Sequence, residues 1–464
     1  MHPLPAPLVR RRQKDPLQGI KTGIWLYFFL LIFEGCLRKW ILPSLTNPLL
    51  VIRDPVVVWI LLNALGKGCL PINLFTISAP LIGLIGLLTA MTIGHGNLIV
   101  ALYGARILIL HFPLVFVIGR VFTRGDVLRM GKITMLLGIP MLLLIVDQFY
   151  SPQTAWVNLG VNGEGAGFSG AEGYARPPGT FSFTIGTTLF FSFMAPFVFY
   201  FWMEPKRIAK PLFIISSIAL LLSLPFSISR ALVIEVLISM VFALVAGSRR
   251  PHAQAKIFVA CAILIISSLI IMNISFSENA IHALISRFEK AGDSEGGAKG
   301  LFIDRVLGGS ASALFCSGDQ PILGYGIGIG TNVGAQLLIG SRGFLIAEGE
   351  WARVIGELGP ILGLFIIALR VVMTYDLLSK SMRCLGRGDC LPWMLASTSL
   401  FVLLFLGWAQ PTCIGFYTMI VGLLIASCNS TSQSEKNAVF LSDKVRVGLP
   451  PSLRGACKPL RLKA

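Results

Sequence analysis

The residues best suited to chemistry are cations in unusual places. Arg38 and Lys39 close one apolar run, and Arg53 opens the next beside Asp54. Arg176 lies within Tyr174-Ala-Arg-Pro-Pro-Gly-Thr-Phe181, and Arg230 ends Ser227-Ile-Ser-Arg230 at the turn between two runs. Arg287, Lys290, Arg305 and Arg342 occupy one long connection, and Arg353 opens the run that follows it. A guanidinium near hydrocarbon costs about 2.5–3.5 kcal/mol even on a lenient scale. So many of them need partners. The planar fork of arginine binds phosphate oxygens two at a time, which makes a phosphate or diphosphate a candidate ligand. The plainer alternative is local pairing, Asp54 with Arg53 and Glu357 with Arg353 on one helix face. For a single arginine the local pair is favoured; for the whole set, an anionic ligand.

Two further stretches bear on chemistry. Glu348-Gly-Glu350-Trp-Ala-Arg353-Val-Ile-Gly-Glu357-Leu-Gly359 places carboxylates at the mouth of an apolar run. Such a carboxylate is a general base if its surroundings raise its pKa. It is equally an ordinary acidic helix start. Pro321-Ile-Leu-Gly-Tyr-Gly-Ile-Gly-Ile-Gly330 has no strand–turn–helix around it and no Lys-Ser/Thr, so it is neither a dinucleotide nor a P-loop motif. Alone, it reads as a flexible loop. His111 reads as a packed residue, and Arg370 as one that snorkels from the inner end of its span. The nine cysteines have no metal spacing and read as packing residues, and no metal or cofactor is expected.

The elements that position these residues follow from composition. The 464 residues are 55% hydrophobic and 13% charged. Mean hydropathy is +0.77. Apolar runs near the length of a membrane crossing recur throughout. Helices are the default spanning element, because lipid leaves no water for backbone groups. The predicted fold is all-α, a polytopic transmembrane helix bundle of about twelve spans, with a large outer, periplasmic loop before the last three. The runs include 256–275 and 351–374.

The basic residues that flank the runs decide orientation. Lys206, Arg207, Lys210, Arg249, Arg250, Arg383 and Arg387 fall in short segments on one side, which is then cytoplasmic. The net charge of +17 is therefore a topology signal and not a nucleic-acid signature. The organisation expected is a cytoplasmic basic tail over 1–19, a membrane bundle over 20–275 with an outer loop at 150–181, and a large outer loop over 276–350. Terminal spans follow over 351–428, then a cytoplasmic, disordered basic tail over 429–464. Both chain ends are cytoplasmic in this reading.

These motifs, in this order, resemble the O-antigen ligase and O-antigen polymerase superfamily of bacterial envelopes. Arg176-Pro-Pro-Gly-Thr-Phe181 is similar to the family's Arg-x-x-Gly-Thr-Phe, and Ser229-Arg230 to its Ser-Arg at a span boundary. Pro321–Gly328 is similar to its Pro-x-x-Gly-x-Gly-x-Gly, and Glu348–Gly359 to the segment that leaves the large loop. Glu34-Gly-Cys-Leu-Arg-Lys-Trp40 and Arg53-Asp54 resemble sequences of some members. The resemblance covers roughly 20–428.

The resemblance implies a membrane glycosyltransferase in the bacterial inner membrane. Members transfer a glycan from undecaprenyl diphosphate at the outer leaflet, with no metal or nucleotide. Arg176, Arg230, Arg305 and Arg353, with Arg53 and Arg38, would hold the diphosphate; Arg230 would also act in catalysis by neutralising the leaving group. Glu348 or Glu350 would take the acceptor proton, Tyr325 and Trp351 would stack on sugars, and Glu357 and Asp54 would support. Ligases carry an acceptor-activating histidine where this chain has Glu348. That departure leans toward a polymerase of lipid-linked repeats, with room for a chain-length regulator as partner. A ligase that transfers glycan to lipid A-core is the alternative, and a glycolipid transporter or flippase is the alternative from another class.

Overall fold

A computed structural model describes residues 15–161, 169–249, 275–295, 321–340, 345–347 and 349–448. It is a helical bundle with one two-stranded hairpin. The helices are α1 (Gln18–Cys36), α2 (Arg53–Gly66), α3 (Leu74–Thr92), α4 (Leu98–Arg106), α5 (Phe112–Val121), α6 (Arg124–Tyr150) and α7 (Thr184–Met203). Then come α8 (Lys210–Phe226), α9 (Arg230–Ser248), α10 (Ser275–Glu295), α11 (Asn332–Ile339), α12 (Glu350–Gly386), α13 (Cys390–Leu404) and α14 (Pro411–Gly448). Strands β1 (Ser169–Ala171) and β2 (Tyr174–Ala175) pair antiparallel.

Among the described residues, nine helical segments are long and apolar enough to cross a membrane. Two expected spans, Lys210–Phe226 and Cys390–Leu404, are shorter apolar helices. The run expected at 256–275 lies outside the described residues. The bundle centres on α7, which is buried on every side, as an all-round apolar helix must be. Helix α14 packs along α5, α9 along α7 and α13, and α6 along α8. Exposed Leu26, Leu62, Ile77, Leu88 and Val241 give the perimeter an apolar surface that suits lipid.

Three local departures from regular helix shape the end of the bundle that carries the candidate residues. Wide π turns occupy Leu37–Ile41 after α1 and Ile107–His111 between α4 and α5. Each re-aims the side chains around it. The third lies within α12, where Gly359 has φ 79° and ψ 168°. The chain folds back there. A Cβ on Gly363 would stand 2.7 Å from the Ile355 Cα, and Glu350 meets Arg370 across 2.9 Å. A straight helix would separate residues 20 positions apart by about 30 Å. The expected single span 351–374 is therefore a short helix over 350–358, a tight turn at Gly359-Pro360, and a long helix to Gly386. Pro360 ends the first helix because it cannot continue the hydrogen-bond ladder.

The glycine-rich stretch wraps this turn and is not a loose loop. Gly324 and Gly328 have φ of 70° and 95°, a region that favours glycine. The Tyr325 and Gly326 amides donate to the Gly356 and Glu357 carbonyls, capping the short helix. At the other end of the chain, α14 continues to Gly448, where disorder was expected from 429. Between Asn429 and Arg446 no glycine or proline interrupts it, and Gly448, Pro450 and Pro451 mark its stop.

Gly359→Ala tests the fold-back. A Cβ there would stand 2.0 Å from the Ile322 carbonyl oxygen. Together with the positive φ, this lowers stability by at least about 1–3 kcal/mol. Thermal unfolding of the detergent-solubilised protein will show a lowered Tm. Gly349→Ala, where a Cβ meets nothing within 4 Å, will not.

Candidate functional site

Alternation of the helices brings one set of ends together: the C-termini of α1, α6 and α8, the N-termini of α2, α7 and α9, and the turn in α12. Most sequence-predicted residues gather there, in four groups with different chemistry.

The first group is a clamp. The π turn after α1 turns Arg38 and Lys39 inward, and both are buried. Arg38 donates through Nε to the Thr46 carbonyl at 3.0 Å and through Nη1 to Ser182 Oγ at 3.1 Å. Lys39 Nζ donates to the Gly179 carbonyl at 2.8 Å and lies 4.4 Å from the Trp40 ring centre. The Gly179 amide donates to Gln148 Oε1 at 2.8 Å, and Thr180 Oγ1 donates to the Ile32 carbonyl at 2.7 Å. Gly35 admits this approach, since a Cβ there would stand 2.4 Å from the Thr180 oxygen. The Arg-Pro-Pro-Gly-Thr-Phe segment is thus fastened to α1, with Arg176 at its free edge. Arg38, expected at the diphosphate, serves here as a fastener.

The second group corrects the expected Arg53–Asp54 pair. Adjacent helical residues point about 100° apart, so each finds a different partner. Arg53 Nε donates to Glu34 Oε2 at 3.1 Å and Nη2 donates to the Pro411 carbonyl, tying α2 to α1 and α14. Asp54 accepts from Arg106 Nη1 at 2.8 Å and lies 3.0 Å from His111 Nε2. His111 Nδ1 lies 3.0 Å from the Tyr27 hydroxyl. Arg53 is 2% exposed, and its Nη1 is buried without a hydrogen-bond partner. Sequence reading missed this network. Its one signal was the pair of polar residues, Arg106 and His111, inside the fourth apolar run.

The third group centres on the α12 turn. Arg353 donates from Nε and Nη2 to the two Glu350 oxygens, each at 2.9 Å, and from Nη1 to Glu357 Oε2 at 2.5 Å. Arg370 Nη1 reaches Glu350 Oε1 at 2.9 Å, so Arg370 does not snorkel. Its Nε and Nη2 donate to the carbonyls of Leu403, in the last turn of α13, and Leu406, just beyond it, where helix carbonyls lack partners. Glu357 Oε1 accepts the Gly330 amide at 2.9 Å. All four side chains are buried. Two carboxylates and two guanidiniums balance each other, so Glu350 and Arg353 fit a structural tie better than a base and an anion clamp. Trp351 donates to the Leu404 carbonyl at 2.7 Å and stacks on Phe405. Tyr325 is 45% exposed beside the turn.

The fourth group differs in charge. Arg176, Arg230 and Arg287 converge from the clamped loop, from α9 and from α10. Ser229 caps α9 and lies 2.8 Å from Thr188 Oγ1, which fixes where Arg230 starts. Arg230 Nη1 donates to the Arg287 carbonyl at 3.4 Å. Arg176 Nε is buried without a hydrogen-bond partner. Burial, then the nearby Arg287 and Arg230 charges, hold the Arg176 guanidinium down to about 10. Three like charges brought together make a site that favours an anion. Glu348 and Arg305 lie outside the described residues.

The buried pair Glu34–Arg53 gives a double-mutant test. Arg53→Met leaves Glu34 only Arg38, 3.6 Å away, and lowers stability by up to about 3–5 kcal/mol. Arg53→Met with Glu34→Gln recovers much of that loss in thermal unfolding. Equal loss in single and double variants would show that the pair does not hold α1 to α2.

No protein-family model matches the chain, and no curated protein matches it in sequence.

Proposed function

We propose that this chain is a member of the O-antigen ligase and polymerase superfamily that polymerises oligosaccharide repeats carried on undecaprenyl diphosphate. The observation that carries the reading is the convergence of Arg176, Arg230 and Arg287 at one end of an apolar bundle. Two of the three lie in motifs similar to the family's Arg-x-x-Gly-Thr-Phe and Ser-Arg. The protein lies in the bacterial inner membrane with both chain ends in the cytoplasm, which puts this cluster at the outer leaflet. Support comes from the basic segments around Lys206–Arg207 and Arg383–Arg387, which fall at the opposite helix ends.

In this reading Arg176, Arg230 and Arg287 hold the carrier diphosphate. They neutralise the charge that grows on its oxygen as the glycosidic bond breaks. Fixed cations aimed at developing charge need no reorganisation as the reaction proceeds. Arg38, Arg53, Arg353, Asp54 and Glu357 position the frame around them. Glu350 is engaged by two arginines, so Glu348 keeps the role of accepting the acceptor proton. The buried charges gather toward one end of the bundle, which favours surface transfer over transport through the bilayer.

Deletion of the gene in its host, complemented by Arg230→Ala or Arg176→Ala, tests this. Surface polysaccharide on a gel will collapse from long chains to single repeats, and neither variant will restore it. Transfer rate in purified material will fall by about 10²-fold or more for each. Long chains that persist on the carrier identify a ligase, and glycolipid trapped on the inner leaflet identifies a transporter.

A further inference from the structure

A groove of ≈ 640 Å³ lies between the β-hairpin and α10. Its lining includes Glu172, Tyr174, Asn279, His282, Ser286 and Glu289. The placement follows from local rules. Glu172 and Gly173 form a two-residue hairpin turn with φ of 54° and 80°, both positive as a type I′ turn requires. Tyr174 is held by its stack on Phe149, with ring centres 4.4 Å apart. On α10, Asn279, His282, Ser286 and Glu289 recur at helical spacing and share one face. Ala280 and Ala283 are buried on the other, and Arg287 follows Ala283 by one turn. One helix therefore offers a guanidinium on one side and a polar, acidic groove on the other.

We propose that this groove binds the sugar portion of the carrier-linked substrate and selects neutral or amino-bearing sugars over acidic ones. This rests on the diphosphate reading above. The groove is adjacent to the arginines through Tyr174, two residues before Arg176, and through Ser286, next to Arg287. A glycan whose diphosphate sits on the arginines must leave that cluster, and the groove offers it a concave, hydrated wall. An aromatic side, an amide, a hydroxyl and carboxylates match the hydroxyl-rich edge and apolar face of a pyranose. Glu172 and Glu289 repel a uronic acid and favour an amino sugar.

Two measurements test the proposal. In the first, Ser286→Cys in the full-length protein is modified with cationic and anionic methanethiosulfonates, with the parent protein as blank. The cationic reagent will react about tenfold faster, and Glu172→Gln with Glu289→Gln will erase the difference. Equal rates before that change overturn the charge selection. In the second, benzoylphenylalanine placed at position 286 or 175 is photo-crosslinked in the native host. Position 286 will capture saccharide made of neutral or amino sugars, and position 175 will capture prenyl diphosphate. Uronic acid at 286 overturns the inference, as does no saccharide at 286 while 175 captures lipid diphosphate. Capture at neither position overturns the diphosphate reading itself, and the groove assignment with it.

Discussion

A guanidinium enclosed in a helix bundle must meet an anion, and most of this architecture follows from that constraint. Removing one partner of such a pair leaves an uncompensated charge in a low-dielectric interior. Arg53 meets Glu34, Arg106 meets Asp54, and Arg353 and Arg370 meet Glu350. Apart from Arg353–Glu350, which lie one turn apart on the same helix, each pair joins segments that hydrophobic packing alone would leave free to slide, because lipid and side chain are equally apolar. Charge therefore sets the register of α1, α2, α14 and the two limbs of α12.

The backbone irregularities serve those pairings. The turn at Gly359 brings Glu350 to Arg370, and the glycine-rich segment caps the short limb by its amides. The π turns at Leu37–Ile41 and Ile107–His111 aim Arg38, Lys39 and His111 inward. The clamp on Gly179 then transmits this rigidity to the loop that bears Arg176. The loop that carries Arg176 is thereby tied to α1 and α6 by hydrogen bonds from Lys39, Gln148 and Thr180.

The arginines thus separate into two kinds. Those matched by carboxylates within the bundle are frame. In the cluster of Arg176, Arg230 and Arg287, cations come near other cations.

The sequence by itself determined the helical, membrane-like architecture. Apolar length is a local property, so it locates helices but not their ends: α6 begins at Arg124, eight residues ahead of the apolar run expected at 132–149. The motif residues Arg176, Ser229 and Arg230 were legible for the same reason, since a short pattern is read without its neighbours. What the chain could not declare was who pairs with whom. Arg53 and Asp54 are adjacent in sequence and turn to different partners because a helix separates their directions. Glu350 and Arg370 look remote and touch because one glycine reverses the chain. Arg287 carried no motif and joins the cluster only because α10 lies against α9 and β1. Pairing depends on three-dimensional proximity, so tertiary structure alone decided which charges pair across the bundle and which cations gather.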